Sequence, residues 1–107
     1  MMESLDRVEQ IMNTLESELD TYGELQEIKA KAETIYKSTR AKLLFSSKQN
    51  PTLKTVADRE AWVDSQLEDE LLNYRIAEGK ADAEKERVRT LRALLSGAQS
   101  LANAGRI

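Results

Sequence analysis

The sequence has 107 residues, 33% of them charged, with four glycines, one proline and a formal net charge of −3, which indicates a single helical domain over residues 1–107. It contains no histidine and no cysteine, so the commonest general base, the commonest zinc ligand and all disulfides are excluded. Because no phosphate-binding glycine loop or nucleophile motif is present either, we predict a protein that is not an enzyme, without metal, cofactor or small-molecule substrate.

The first predicted helix spans about residues 4–46. Its apolar residues begin with the alternating spacing of three and four that is typical of a coiled-coil seam: Leu5, Val8, Met12, Leu15, Leu19 and Tyr22. The pattern then continues from a new origin: Leu25, Ile28, Ala32, Ile35, Thr39 and Leu43. Such a slip indicates either a stammer in one continuous helix or a real interruption. Because Gly23 weakens a helix and Thr21 to Glu24 has capping-box spacing, we favour a bend or short break near residues 20–24.

A loop is predicted over about residues 47–54, because Pro51 disfavours a helical conformation at Asn50 and Thr52 or Thr55 can cap the helix that follows. The second helix is predicted over about residues 55–103. Its seam is Val63, Leu67, Leu71 or Glu70, Tyr74, Ala77, Ala81, Glu84, Val88, Leu91, Leu95, Ala98 and Ala102.

Two long helices joined by a short loop predict an all-α, coiled-coil-like antiparallel hairpin, with a bent or separate N-terminal helix as a variant. A two-helix pair buries little apolar surface, so self-association into a homo-oligomer is the simplest way to complete it. We predict an oligomer interface that contains Trp62, Leu72, Leu91, Leu94, Leu95 and Leu101. The alternative is a monomer in which the N-terminal segment folds back as a third helix.

Charge is arranged in blocks along the chain. Residues 1–28 carry eight acidic residues and one basic residue, whereas residues 29–56 carry seven basic residues and one acidic residue. Residues 57–86 are again acidic, and residues 87–107 carry four arginines and no acidic residue. In an antiparallel hairpin these blocks face blocks of opposite sign, so they are expected to fix helix orientation and register.

The basic segment is also a candidate for binding a polyanion. Its predicted nucleic-acid-binding residues combine cations for phosphates with two aromatic rings on which single-stranded bases can stack: Lys37, Arg40, Lys42, Lys48, Lys54, Tyr36 and Phe45. Tyr36 and Phe45 have the alternative role of aromatic residues in the hairpin core. Several copies that present this segment together would bind more tightly than one.

The layout of "AETIYKSTRAKLLFSSK", a polar loop and "LNYRIAEGKADAEKERVRTLRALLSGAQSLANAGR" resembles the UvsY-like recombination mediator proteins of tailed bacteriophages. The resemblance covers roughly residues 28–106, and Lys37, Arg40, Lys42 and Lys48 occupy the place of the family's basic segment. It implies an oligomeric accessory protein that binds single-stranded DNA, helps remove a single-strand binding protein and loads a RecA-like recombinase.

Two other functions remain open. One is a helical structural or scaffold protein of a phage that does not bind nucleic acid, and the other is a small acidic inhibitor or adaptor of a host protein. The longest apolar run falls short of the roughly 18 residues of a membrane span, and the N-terminus lacks the features of a signal peptide. We therefore expect no membrane partner and a location in the cytoplasm, which would be the host cytoplasm for a phage protein.

Overall fold

The computed structural model describes residues 2–105, which form an all-α helical hairpin as the sequence predicts. Three helices follow one another in the chain: α1 (Met2–Ser47), α2 (Val56–Gln66) and α3 (Glu68–Ala104). No strand occurs within residues 2–105. Arg106, one of the four arginines of the basic C-terminal block, lies outside the described residues.

The hairpin divides into two compact units. Unit 1 consists of Met1–Gln26 with Lys80–Ile107, and unit 2 consists of Glu27–Gly79. Each unit therefore contains part of α1 and part of α3, and unit 2 also contains α2 and the loop.

Both units show the antiparallel pairing. In unit 1, Val8 shares a cleft with Ala102, and Glu18, further along α1, pairs with Arg87, earlier in α3. In unit 2, the ring of Tyr36 packs on that of Tyr74. Rising residue numbers on α1 thus meet falling numbers on its partner, as an antiparallel hairpin requires.

The predicted break near residues 20–24 is wrong, because α1 is one continuous helix. Thr21 does not cap a new helix; its hydroxyl donates to the carbonyl of Ser17 at 3.2 Å, a bond that threonine forms inside a helix. Gly23 lies within the same uninterrupted helix. For the same reason, the N-terminal segment does not fold back as a third helix within the described residues.

The seam of α1 in unit 1 agrees with the predicted one at every second position. The predicted residues Val8, Leu15, Tyr22 and Leu25 are covered, whereas Leu5, Met12 and Leu19 are 37–44% exposed. The residues that precede those three, Ser4, Ile11 and Glu18, are covered instead. Leu25 follows Glu18 by seven residues, so one heptad register covers both and the predicted slip between Tyr22 and Leu25 does not occur. The consequence is that a carboxylate, Glu18, occupies a seam position.

The same register governs α1 within unit 2. Ile28 and Ile35, which were also predicted in the seam, are more than half exposed. The predicted residues Ala32, Thr39 and Leu43 are covered, and Lys29 and Tyr36 are covered in place of the two isoleucines. Lys29 lies in the seam although it is charged, because a lysine stem can cover apolar surface while its ammonium group stays in water.

The predicted seam of the second helix is confirmed. Val63, Leu67, Ala77, Ala81, Val88, Ala98 and Ala102 are the buried apolar residues of the described chain. Tyr74, Glu84, Leu91 and Leu95 are half-buried between them. Most fully buried positions on α3 are alanines, which allow two helices to approach closely.

The second helix is not continuous, contrary to the prediction, because the helical segment is interrupted at Leu67. This residue has φ −113° and ψ 16°, and its amide donates to the carbonyl of Asp64 rather than continuing the α-helical pattern. The hydroxyl of Ser65 donates a hydrogen bond to the carbonyl of Trp62 at 2.6 Å, and this local bond competes with helix hydrogen bonding. The side chain of Leu67 is only 1% exposed, so its burial holds the interruption in place.

None of the helices in residues 2–105 combines the length and the apolar character that crossing a bilayer demands.

Candidate nucleic-acid interface

The end of α1 and the loop that follows form a well-defined turn in unit 2. Successive amides from Lys48 to Asn50 donate to carbonyls three residues earlier, at 3.1–3.3 Å, which tightens the end of α1. The side chain of Asn50 then accepts from the amide and the hydroxyl of Thr52, at 3.0 and 2.7 Å. Together with Pro51 this local bonding turns the chain, so the loop is built from its own hydrogen bonds.

Thr55 begins α2 with a complete capping box, which confirms one of the two predicted caps. Its hydroxyl accepts from the amide of Asp58 at 3.0 Å, and the carboxylate of Asp58 accepts from the amide of Thr55 at 3.3 Å. Arg59, which sequence reasoning did not single out, donates from its guanidinium to the carbonyl of Leu53 at 3.3 Å. That contact joins residues six apart and had no recognisable signal in the sequence.

Four of the predicted nucleic-acid-binding residues lie exposed around this turn, and we call them the basic tip: Lys42, Phe45, Lys48 and Lys54. Phe45 is 68% exposed, which is unusual for so large an apolar side chain. Lys42 lies three residues before it and is therefore its neighbour on the helix surface. Within residues 2–105, none of the three lysines is within 4.0 Å of a carboxylate oxygen.

Two other predicted cations are already paired within the chain. The ammonium of Lys37 lies 2.7 Å from a carboxylate oxygen of Glu33, one turn earlier in α1. This hydrogen bond and the attraction between the two charges raise the pKa of Lys37 and lower that of Glu33. Arg40 is half-buried and lies 3.7 Å from Asp64 of α2. Arg40 therefore joins α1 to α2, whereas Lys37 stays exposed on its own helix, and a phosphate would have to compete with carboxylates for both.

Tyr36 is part of the packing between α1 and α3. Its ring stacks on that of Tyr74, with 6.1 Å between centroids and 29° between planes. The guanidinium of Arg75 lies over the Tyr74 ring at 5.7 Å. One face of the Tyr36 ring is therefore covered by Tyr74, which corresponds to its alternative role in the hairpin core. Of the two aromatic residues predicted to stack on bases, Phe45 is the exposed one.

The predicted oligomer interface separates into two groups. Leu72, Leu94 and Leu101 are 47–69% exposed and remain candidates for contact with another chain. Leu91 and Leu95 are half-buried in the seam of unit 1, and Trp62 is half-buried in unit 2. Leu91 and Leu95 fall in the intrachain repeat that also contains Val88 and Ala98.

Within residues 2–105, no group of three or more acidic side chains has the arrangement of a metal site. No known family model, curated protein or solved structure matches the chain. The exposed residues of the basic tip are therefore the main indication of function.

Proposed function

We propose that this protein is a non-enzymatic, self-associating accessory factor that binds single-stranded DNA through the basic tip and serves as a recombination mediator. The observation that carries the proposal is the 68% exposure of Phe45 beside lysines that have no carboxylate partner in the described chain. Exposed aromatic rings stack on unpaired bases, and lysines neutralise the adjacent phosphates.

The geometry of the turn supports this use. The hydrogen bonds of Asn50 and the capping box of Thr55 hold the loop in one conformation, so little ordering entropy is lost when a strand binds. A single tip has only three unpaired lysines and one exposed ring, which makes it a weak binder. Self-association would place several tips on one strand and raise the overall affinity.

A mediator needs weak, displaceable contacts, because it must hand the strand to a recombinase. Contacts made by lysine with phosphate are of this kind. Binding releases counterions from the DNA, and this release is less favourable at high salt, so the affinity falls steeply as salt rises. The recombinase and the single-strand binding protein enter the proposal through the resemblance to phage mediators described above.

The test is fluorescence anisotropy of a labelled oligo(dT) titrated with protein from low to physiological salt. We expect binding whose logarithmic salt slope is about −0.7 for each phosphate neutralised. Replacing Lys42 and Lys48 by glutamine should weaken binding and flatten that slope, and Phe45→Leu should weaken binding with the slope unchanged. The matched control is Lys31→Gln, which removes the same charge from an exposed position of α1 outside the tip.

Absence of binding at low salt would contradict the proposal, as would an equal loss in Lys31→Gln and in a tip variant with one lysine replaced. The mediator role has its own assay, in which the protein should speed the assembly of a RecA-like recombinase on DNA coated with single-strand binding protein. Binding without any such effect would reduce the function to strand binding alone.

A helical scaffold protein is the second candidate, and it is favoured by the exposed apolar residues at seven-residue spacing. Leu94 and Leu101 on α3 and Leu5, Met12 and Leu19 on α1 fit a surface that packs on other chains. A scaffold would assemble without affinity for DNA, so the same anisotropy titration separates the two functions.

A further inference from the structure

A second cluster of cations lines a cleft in unit 1, and none of its residues belongs to the basic tip. The cleft has a volume of about 240 Å³ and lies between α1 and α3. Its lining residues are Leu19, Tyr22, Lys85, Val88, Arg89 and Arg92. Three of the six are basic and none is acidic.

The three cations occupy one face of α3, because residues 85, 89 and 92 are spaced by four and three. Arg89 shares its guanidinium with Glu86 at 2.9 Å, an exposed contact. Within residues 2–105, Lys85 and Arg92 have no carboxylate oxygen within 4.0 Å. Like charges one turn apart repel each other, so an anion between them would stabilise the cluster.

Tyr22 adds a neutral hydrogen-bond donor to the same cleft. The side-chain amide of Gln26 donates to the phenol oxygen of Tyr22 at 2.6 Å. The oxygen is thus engaged as an acceptor, and its own hydrogen is left to donate. Every polar group that lines the cleft can therefore donate to an anion, while Leu19 and the tyrosine ring supply an apolar wall.

We propose that this cleft binds the phosphate group of a nucleotide. The planar guanidinium groups of Arg89 and Arg92 suit two phosphate oxygens, and Lys85 adds a point charge. The tyrosine ring and Leu19 offer surface to the attached sugar and base. A free nucleotide and a nucleotide within a strand share this chemistry, and the site does not depend on strand binding at the basic tip.

The experiment is a titration of the full-length ¹⁵N-labelled protein with deoxythymidine monophosphate and, separately, with oligo(dT), followed by NMR. The local reporters are the side-chain amide of Gln26 and the backbone amides of residues 85–92. We expect both sets to shift in a saturable way. Replacing Lys85 and Arg92 by glutamine should weaken binding by about tenfold or more, since each charged hydrogen bond is worth a large share of such a weak affinity.

Two variants test the geometry more finely. Tyr22→Phe keeps the ring and removes the hydroxyl, so it should weaken binding severalfold without changing helicity. Lys80→Gln is the matched charge control, because Lys80 is exposed on α3 in unit 1 and does not line the cleft. Circular dichroism of each variant checks that the helices are intact.

The outcomes are distinct. Reporter shifts with the mononucleotide support the site and show that it accepts free nucleotides, whereas shifts with oligo(dT) alone support it as a strand contact. Unchanged reporters with both probes at millimolar concentration overturn the proposal. Equal losses in Lys80→Gln and in the Lys85/Arg92 variant also overturn it, because they would show general attraction to charge. Failure of the basic tip is recognised separately, since Lys42 and Phe45 variants leave the cleft reporters untouched.

Discussion

Glu18 of α1 and Glu84 of α3 are two carboxylic residues that both occupy the seam of unit 1, and Glu18 raises the pKa of Glu84. Both occupy positions at which a coiled coil ordinarily carries apolar side chains. One carboxylate oxygen of Glu84 is buried and has no hydrogen-bond partner among the described residues. Arg87 lies 3.1 Å from Glu18 and compensates one of the two negative charges.

This arrangement has a consequence for the pH dependence of stability. The hydrogen bond that a protonated Glu84 can donate to Glu18 raises the pKa of Glu84, burial and the like charge of Glu18 raise it further, and Arg87 partly opposes them. A carboxyl group whose pKa is raised by folding stabilises the folded state while it is protonated. That contribution is complete below the ordinary carboxyl pKa and is lost as pH rises through the raised value.

We therefore predict that Glu84→Gln raises the melting temperature at neutral pH, because the amide keeps a donor for Glu18 and removes the second charge. The gain should shrink as pH falls below the ordinary carboxyl range, where Glu84 is protonated in any case. Thermal melts of the wild type and the variant between pH 4 and 8 measure the difference in melting temperature. The effects of the other carboxylates are common to both proteins and cancel in this difference. A difference in melting temperature that does not change with pH would contradict the raised pKa of Glu84.

Gly23 gives a direct test of the continuity of α1. An added Cβ at this position meets no atom within 4 Å, and the residue is inside the helix. Alanine loses less conformational freedom than glycine when a helix forms, so Gly23→Ala should stabilise the protein by about 0.5–1 kcal/mol. Urea unfolding followed by circular dichroism provides the measurement, and Gly79→Ala on α3 is the matched control, with the same open surroundings. A loss of stability at Gly23 alone would indicate a break there.

How far sequence predicted the fold depended on the ambiguity of each repeat. On α3, Ala77, Ala81, Val88 and Ala98 have no apolar competitor that fits the repeat equally well, so the seam could be read directly. On α1, Leu5, Met12 and Leu19 compete with positions one residue earlier that include Glu18. Hydrophobicity favours the leucines, but the single register shared with Leu25 leaves them outside. The choice is made by packing along the whole helix, which local composition does not contain.

The candidate site was predictable to a similar degree. The pairing of Lys37 with Glu33 follows from a spacing of four, whereas the sequence left Phe45 open between an exposed ring and a core aromatic residue. The ion pair of Arg40 with Asp64 and the stacking of Tyr36 on Tyr74, which engage two predicted binding residues within the chain, depend on the pairing of elements distant in sequence. The spacing of Lys85, Arg89 and Arg92 indicates that they share one face of a helix. That they line a cleft depends on the position of Tyr22 on the other helix, which the sequence does not give.

Self-association is the last property that the exposed side chains predict. Leu94 and Leu101 are one heptad apart, 47% and 69% exposed, and surrounded by no described residue that covers them fully. Replacing both by lysine should lower the mass measured by light scattering while helicity is retained, because neither lies in the seam. Replacing Leu91 and Leu95 by lysine should lower helicity as well, since both are half-buried between α1 and α3. A wild-type mass near that of one 12.1 kDa chain would contradict assembly, and with it the summing of weak tips on one strand.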